Sequence, residues 1–259
     1  MKKLVTMLLA LLTLTACLAG CGAAEKTDLQ YIQEKGTLIV GITDYAPMDY
    51  KDENGDWTGF DAEFARLFGE RLGVSVEFFL LADWNQKFYE LETKNIDAIW
   101  NGMTISEEVL RNTNCSNPYV VNAQVVVMKE DAAGSYPDAA SLTGLKFAVE
   151  SGSVGEAALQ DLGITDYIAL QDQASALMEV AAGTAEACVI DITMANAMTG
   201  PGTGYPALVK SIRLTEEEYG VGFRKDSDLT EKFNQIMEEL MADGTLDALA
   251  EKYNLTLVK

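Results

Sequence analysis

The sequence predicts an α/β fold divided into two lobes, and three observations support this prediction. Short apolar runs alternate with amphipathic segments over residues 38–100, which is the pattern of a parallel sheet covered by helices. A second cycle of the same kind begins at residue 146. A long β-rich run, residues 120–128, lies between the two cycles. Two cycles separated in this way indicate two lobes rather than one continuous sheet.

The first cycle alternates strands and helices. Apolar runs predict strands over residues 38–42, 74–80 and 96–100. Apolar residues at helical spacing predict helices over residues 61–72 and 84–91. Asp61 and Asp83 stand at the starts of these helices, where a carboxylate can cap the free N–H groups.

The second cycle also alternates strands and helices. Its apolar runs predict strands over residues 146–149, 167–170 and 187–190. Its amphipathic segments predict helices over residues 155–162, over 175–182 and from residue 194 onward. A cluster of glycine and proline over residues 200–206 ends this cycle. The chain then closes with a predicted strand over residues 219–223 and predicted helices over 229–241 and 246–253.

The charge of the chain excludes some partners. Its 40 acidic and 19 basic residues give a formal net charge of −21, which repels nucleic acid and anionic lipid. Histidine is absent from the sequence, so the usual general base and the commonest zinc ligand are missing. We therefore predict neither a metal site nor a cofactor. The acidic residues around Asn54 and Gly55 are typical of a hairpin turn.

The N-terminus carries the features of an export signal. A short basic start precedes an almost wholly apolar run, residues 4–14, which is too short for a membrane span. LTAC, ending at Cys17, and LAGC, ending at Cys21, both resemble the lipobox of bacterial lipoproteins. Small residues precede Cys21, which is therefore the predicted lipidated residue, with residues 1–21 as signal and 22–27 as tether. A plain cleaved signal is the alternative.

Two further cysteines, Cys115 and Cys188, lie far apart in the sequence. In an exported protein they could form a disulfide, but their spacing alone does not establish a pair. Cys188 stands inside an apolar run, so buried thiols are the favoured interpretation.

The ends of the predicted strands carry residues suited to a ligand site. In doubly wound sheets the ligand crevice lies outside the carboxyl ends of the strands. The residues there are polar, aromatic or glycine: Tyr45, Trp84, Asn101, Gly102, Ser153 and Asp191. This mixture is typical of a cleft for a small molecule.

The whole chain resembles the family-3 extracellular solute-binding proteins, which are the amino-acid receptors of ABC importers. The motifs that carry the resemblance stand in the family's order over nearly the whole mature chain. They are GTLIVGITDYAPMDYKDENGDWTGFDAEFARLFGERLG (36–73), ADW (82–84), NIDAIWNGMTIS (95–106), SNPY (116–119), LTGLKFAVESGS (142–153), AEACVID (185–191) and YGVGFRKDSDL (219–229).

The resemblance implies a type II periplasmic-binding-protein-like fold, with two parallel-type sheets joined by a two-stranded hinge. The first lobe would comprise residues 28–120 and 216–259, and residues 121–215 would form the hinge and the second lobe. A ligand would be enclosed as the lobes close.

The resemblance also implies roles for individual residues. Asp191 matches the aspartate that binds the ligand's ammonium, although it could instead cap the helix that follows. Tyr45 and Trp84 match the aromatic pair on either side of the ligand's side chain, although both could instead be ordinary residues of the core. Ser153 and Val154 match the opposing lobe's contribution, a backbone amide at a helix start.

The turn of residues 101–104 follows a strand and matches the segment that offers N–H groups and a hydroxyl to the ligand. Its members are Asn101, Gly102, Met103 and Thr104. Glycine allows the backbone to approach a ligand closely. A plain strand-to-helix turn is the alternative.

The chain departs from the family at one position. Relatives carry an arginine shortly after this turn that binds the ligand's α-carboxylate, and Val109 stands at that place here. Either Arg111 reaches the cleft through an irregular segment, or amides alone hold the carboxylate, or the ligand has no α-carboxylate. Glu107 and Glu108 beside the site disfavour an anionic ligand, unless they are simply exposed.

The predicted function is binding of a small ligand without a chemical reaction. We expect a monomeric, extracytoplasmic receptor, attached to the bacterial membrane only by its lipid, that delivers an amino acid or related amine to the membrane subunits of an ABC importer. A dehydratase of the same fold is one alternative, in which Glu150 could be the acid, and a ligand-sensing subunit is another.

Overall fold

The computed structural model describes residues 26–259. The predicted signal, the lipobox with Cys17 and Cys21, and most of the tether lie outside the described residues. Among the helices of residues 26–259, none combines the length and the apolar character that a membrane span requires.

Helices and strands alternate along the described chain. The α-helices are α1 (Asp28–Lys35), α2 (Phe60–Leu72), α3 (Lys87–Glu92), α4 (Glu107–Asn112), α5 (Glu130–Ala133), α6 (Val154–Asp161), α7 (Gln173–Ala182), α8 (Ile192–Met198), α9 (Leu229–Ala242) and α10 (Thr245–Tyr253). The strands are β1 (Thr37–Ile42), β2 (Tyr50–Lys51), β3 (Trp57–Thr58), β4 (Ser75–Leu80), β5 (Ala98–Ile99), β6 (Asn114–Cys115), β7 (Val120–Asn122), β8 (Gln124–Lys129), β9 (Phe147–Glu150), β10 (Tyr167–Leu170), β11 (Ala187–Asp191), β12 (Leu208–Arg213), β13 (Glu217–Tyr219) and β14 (Gly222–Phe223). Short 3₁₀ helices cover Trp84–Gln86 and Ala139–Leu142.

Two five-stranded sheets form the centres of the two lobes. The first sheet has the strand order β4-β1-β5-β14-β6, and the second has the order β10-β9-β11-β8-β12. Strands β7 and β13 pair with each other in an antiparallel ladder between the lobes and form the hinge. We call the parts built on the first and second sheets the first and second lobes.

Each sheet is mixed rather than purely parallel. Strand β1 is parallel to β4 and β5, and β9 is parallel to β10 and β11, as the alternating pattern predicts. Strands β14 and β8 run antiparallel to their neighbours β5 and β11. Both strands directly follow a hinge strand, so they enter their sheets from the side of the hinge.

Several predicted boundaries differ from the observed ones. The predicted strand 120–128 divides at Ala123 into β7 and β8, and the Ala123 carbonyl accepts a hydrogen bond from Ile192 N–H at 2.8 Å. The predicted strand 219–223 likewise divides into β13 and β14. Gly59, not Asp61, is the N-cap of α2, and Asp61 is buried within the first turn of the helix. Asp83 caps the 3₁₀ helix that precedes α3, as predicted.

The core of the first lobe is an aromatic cluster that fixes the end of β5. Trp100 follows β5 directly, and its ring lies 4.9 Å from Phe64 of α2 and 5.0 Å from Phe233 of α9. Phe68 and Phe223 complete the cluster, and all five side chains are fully buried. The position of Asn101 and the turn after it follows from this packing.

Cys115 and Cys188 are free thiols, so the disulfide alternative is wrong and the favoured interpretation holds for the fully buried Cys188. Burial raises the pKa of Cys115 to about 11 and that of Cys188 further, so neither thiol ionises at neutral pH.

Candidate functional site

A cavity of about 400 Å³ lies between the two lobes. Its size falls in the range of about 300–1,000 Å³ that is usual for small-molecule sites. All nine predicted site residues line it: Tyr45, Trp84, Asn101, Gly102, Met103, Thr104, Ser153, Val154 and Asp191. They come together because β1, β5, β9 and β11 all end at the edge of a sheet that faces this cavity.

Asp191 is the last residue of β11 and stands at the N-cap position of α8, but its side chain caps no helical N–H. The side chain is buried, and its carboxylate accepts hydrogen bonds from the side-chain amides of Gln124 (2.8 Å), Asn122 and Gln173. Within residues 26–259 Asp191 forms no salt bridge. The carboxylate is therefore oriented by neutral donors, while its charge has no protein cation beside it.

Other carboxylates surround Asp191. Glu217 of the hinge accepts hydrogen bonds from two of these three amides, those of Gln124 at 3.0 Å and Asn122 at 3.1 Å. Burial and, after it, the charge of Glu217 raise the pKa of Asp191 to about 6. Glu150 ends β9 in the cavity wall, and burial together with the charge of Asp191 raises its pKa to about 8. The cavity thus carries buried acidic groups whose charges repel one another.

Asp61, beneath the site, is another buried carboxylate with a raised pKa. Its carboxylate accepts hydrogen bonds from Gly102 N–H at 2.6 Å and from the hydroxyl of Tyr119 at 2.8 Å. Burial raises its pKa to about 7 despite these bonds. Asp61, Glu150 and Asp191 therefore all keep their protons to higher pH in the folded protein than in the unfolded chain.

We predict that the ligand-free protein loses stability as the pH rises from 5 to 8. Between these values the folded chain binds more protons than the unfolded chain at Asp61, Glu150 and Asp191, so deprotonation favours unfolding. The free energy of unfolding in urea should be lower at pH 8 by at least about 1.4 kcal/mol, the value of one pKa unit at one carboxyl group.

Glu150→Gln serves as the control for this prediction, because it removes one of the three groups and leaves the overall negative charge nearly unchanged. The variant should show a smaller difference between the two pH values. A wild-type stability that stays constant or increases from pH 5 to pH 8 would contradict the prediction.

Tyr45 and Trp84 are nearly buried and also line the cavity, so each is at once a packed residue and a wall of the site. The hydroxyl of Tyr45 is hydrogen-bonded to Thr193 of the second lobe at 2.5 Å and to Tyr219 of the hinge. Trp84 packs in one cluster with Met103 and Val109. The two rings therefore form fixed apolar surfaces on the first-lobe side of the cavity.

The turn of residues 101–104 is held by the protein itself. The Asn101 amide accepts hydrogen bonds from Thr43 N–H (3.0 Å) and from the Thr43 hydroxyl (2.6 Å). Gly102 has a φ of +55°, and a Cβ there would lie 2.5 Å from the Tyr45 ring. Gly102 N–H donates to Asp61, and the Thr104 hydroxyl donates to Glu217 at 2.9 Å. These two donors are therefore paired within the protein, while both residues line the cavity, and their contact with a ligand stays a prediction.

The second lobe meets the first directly at one edge of the cavity. Ser153 caps α6, accepting from Glu156 N–H at 3.1 Å. The Asn85 amide donates to the hydroxyl of Ser151 at 2.8 Å. Gly152 has a φ of +70°, and a Cβ there would lie 2.0 Å from the Asn85 oxygen. The lobes of this structure are in contact, and in residues 26–259 the one ion pair between their segments is the local pair of Arg213 and Glu216 at the hinge (3.4 Å).

The question left by Val109 is partly answered. Val109 is buried in the cavity wall, whereas Arg111 is exposed and pairs with Glu107 at 3.4 Å. Arg111 does not line the cavity, which excludes the alternative in which Arg111 reaches the cleft through an irregular segment. Among residues 26–259, Lys87 is the one lysine or arginine in the lining.

Sequence reasoning missed several residues that build the site. Lys87 and Gln173 line the cavity, and Asn122, Gln124 and Gln173 bind Asp191. A signal was present for two of them, because Asn122 and Gln124 interrupt an apolar β-run in which carboxamides need buried partners. Lys87 and Gln173 stand in amphipathic segments, where polar residues are ordinary.

Comparisons with known proteins agree with this geometry. The chain is 30% identical over 244 residues to the L-cystine-binding protein TcyJ of Escherichia coli, covering 92% of this chain and 91% of the relative. It is 30% identical over 250 residues to an L-arginine-binding protein of Pseudomonas aeruginosa, covering 91% and 95%. The crystal structure of AncCDT-1, an ancestral amino-acid-binding protein described as a precursor of cyclohexadienyl dehydratase, matches with 32% identity and a TM-score of 0.80, over 87% of this chain and 98% of that one.

These similarities confirm the predicted family and the predicted two-lobed fold. The model of the bacterial extracellular solute-binding proteins, family 3, matches residues 38–256. That range includes both sheets, the hinge and every residue that lines the cavity. The chain belongs to the family-3 bacterial extracellular solute-binding proteins.

Proposed function

We propose that this protein is an extracytoplasmic receptor that encloses a cationic amino acid between its lobes and delivers it to an ABC importer. The observation that carries the proposal is the carboxylate of Asp191, which is buried in the cleft, held by three neutral amides and paired with no cation of residues 26–259. A buried charge of this kind is stabilised when a ligand supplies the opposite charge.

The α-ammonium of an amino acid fits this requirement. It has donors for a carboxylate whose position is already fixed by Gln124 and its neighbours. The rings of Tyr45 and Trp84 supply apolar surface for the ligand's side chain, and they attract a positive group by about 0.5–2 kcal/mol. We therefore propose the nine predicted site residues as the ligand-binding residues of this chain.

The balance of charge around the cavity favours a second positive charge on the ligand. Within residues 26–259, five acidic residues line the cavity, against the one cation Lys87: Glu107, Glu108, Glu150, Asp161 and Asp191. Burial raises the pKa of Glu150 to about 8, so the other four carry the negative charge at neutral pH. A ligand with a cationic side chain reduces their mutual repulsion, whereas an anionic side chain increases it. The similarity to an L-arginine-binding protein agrees with this proposal.

We further propose that residues 28–120 and 216–259 form the first lobe and that residues 121–215 form the hinge and the second lobe. Strand membership supports these limits, because β14 rejoins the first sheet after the hinge strand β13. We also propose that Cys21 carries the lipid anchor, on the resemblance of LAGC to a lipobox, and that the receptor is a monomer, on the resemblance of the chain to its family.

A dehydratase is the second candidate function. Two observations favour it: Glu150 lies in the cavity with a pKa raised to about 8 by burial, and AncCDT-1 has the same fold. A general acid needs such a pKa. A dianionic substrate, however, would meet five acidic residues and one ammonium, so we propose binding without catalysis.

A ligand screen by thermal shift and calorimetry tests the proposed function. L-arginine, L-lysine and L-ornithine should raise the unfolding temperature most, because bound ligand stabilises the folded state alone. Neutral amino acids should have smaller effects, and L-glutamate and L-aspartate should have none. Prephenate should be left unchanged by the protein. A response confined to dicarboxylates, or steady turnover of prephenate, would overturn the proposal.

A further inference from the structure

We propose that the ammonium of Lys87 binds the α-carboxylate of the enclosed amino acid and replaces the arginine for which this chain has Val109. The inference rests on the proposed function, because it concerns the second charged group on the α-carbon of a ligand whose α-ammonium meets Asp191. It also selects among the alternatives for the carboxylate, since Arg111 lies outside the cavity.

Lys87 is buried at the site rather than exposed on its helix. It is the first residue of α3, only 3% exposed, and it lines the cavity together with Val109. Its ammonium lies 4.8 Å from the centre of the Trp84 ring and 4.7 Å from that of Phe88. Lysine is almost never fully buried unless its charge has a partner. The buried ammonium of Lys87 therefore needs an acceptor for its charge.

The protein supplies only weak acceptors. The Lys87 ammonium donates to the carbonyl oxygens of Trp84 at 3.3 Å and of Gly152 at 3.4 Å. Charge-assisted hydrogen bonds are usually about 2.7–2.9 Å long, so both contacts are long. Within residues 26–259 no carboxylate lies within 4.0 Å of this ammonium. An ammonium has three donors, and a carboxylate in the cavity would give them a strong acceptor.

The neighbouring acidic residues do not fill this role. Burial lowers the pKa of Lys87, and the nearby carboxyl groups of Glu108, Glu150 and Asp83 oppose this shift only in part. Burial keeps Glu150 protonated at neutral pH, with a pKa of about 8. Glu108 is exposed, so water competes for its charge. A ligand carboxylate enclosed in the cavity meets no such competition.

The arrangement also links ligand charge to closure. Lys87 belongs to the first lobe and Asp191 to the second, and the two line one cavity. An amino acid that binds both residues connects the lobes through its own two charged groups. A decarboxylated amine keeps the contact with Asp191 and loses the contact with Lys87.

Pairs of ligands that differ only in the carboxylate test this inference. Calorimetry would give dissociation constants for L-arginine and agmatine, and for L-lysine and cadaverine. Wild-type protein should bind each amino acid more tightly than its amine. Lys87→Met keeps most of the side chain and removes the charge, so it should weaken amino-acid binding by about 10- to 100-fold and leave amine binding within about twofold. Lys87→Arg should retain the preference for the amino acid.

Lys146→Met is the matched control, because it makes the same change at an exposed position outside the cavity, and it should bind like wild type. Equal wild-type affinities for amino acid and amine would overturn the inference even if Lys87→Met did not fold. A folded Lys87→Met that keeps the wild-type preference would also overturn it, while the proposed function would stand. Wild-type protein that binds none of the four ligands would overturn the proposed function and this inference with it.

Discussion

Asp191→Asn is expected to weaken the binding of every amino-acid ligand by at least about 30-fold. Removal of one partner from a buried charge pair costs about 2–5 kcal/mol, and about 1.4 kcal/mol corresponds to a factor of ten. The asparagine would also present N–H donors to amides that already donate, those of Asn122, Gln124 and Gln173. Calorimetry with L-arginine and with agmatine measures the effect, and both ligands should lose affinity because both carry a cation.

Glu238→Gln is the matched control for Asp191→Asn. Glu238 is exposed on α9, outside the cavity, and its replacement removes the same charge from the protein as a whole. Its affinity for ligand should remain within about twofold of wild type. If the two variants bound ligand equally well, long-range charge alone would explain recognition, and the specific role of Asp191 would be refuted.

Phe233→Ala is expected to lower the free energy of unfolding by about 3–5 kcal/mol, the usual cost of removing a buried phenylalanine ring. The ring lies 5.3 Å from Phe68, 5.0 Å from Trp100 and 5.7 Å from Phe223, and it is fully buried. Phe233 is on α9, so the loss would show that the returning C-terminal segment stabilises the first lobe. Urea unfolding of the purified variant measures it.

Phe79→Ala provides the comparison. Phe79 is on β4 of the first sheet, in the same lobe as Phe233, but it is 37% exposed. Its truncation should therefore cost at most about 1 kcal/mol. A cost for Phe233→Ala no larger than that for Phe79→Ala would mean that α9 contributes little to the stability of the first lobe.

The fold could be predicted because its signals are local. Alternating apolar and amphipathic segments identified strands such as β1 and β9 and helices such as α9 within a few residues. Strands β6 and β12 were missed, because β6 has only two residues and the six residues of β12 include exposed positions, so neither produces a clear apolar run. The antiparallel entry of β8 and β14 depends on how the chain crosses the hinge, which no local pattern describes.

The site was only partly visible in the sequence, for a different physical reason. Asp191 could be found because it follows a buried strand in a family motif. Asp61 was interpreted as a helix cap, but it turns its carboxylate to Gly102 N–H. Lys87 was missed because a lysine in an amphipathic helix normally faces solvent. Here its ammonium lies over the rings of Trp84 and Phe88 and contacts Gly152 of the second lobe.

The uncharged hydrogen bonds between the lobes have a consequence for how the receptor responds to its surroundings. Hydrogen bonds such as Asn85 to Ser151 and Tyr45 to Thr193 hold the lobes together, and dissolved ions screen such bonds far less than they screen ion pairs. In an empty receptor, water can take over each of these bonds as the halves separate. Changes in external salinity should therefore alter the association rate of the proposed cationic ligand, through the field of the acidic surface, much more than the stability of the closed form.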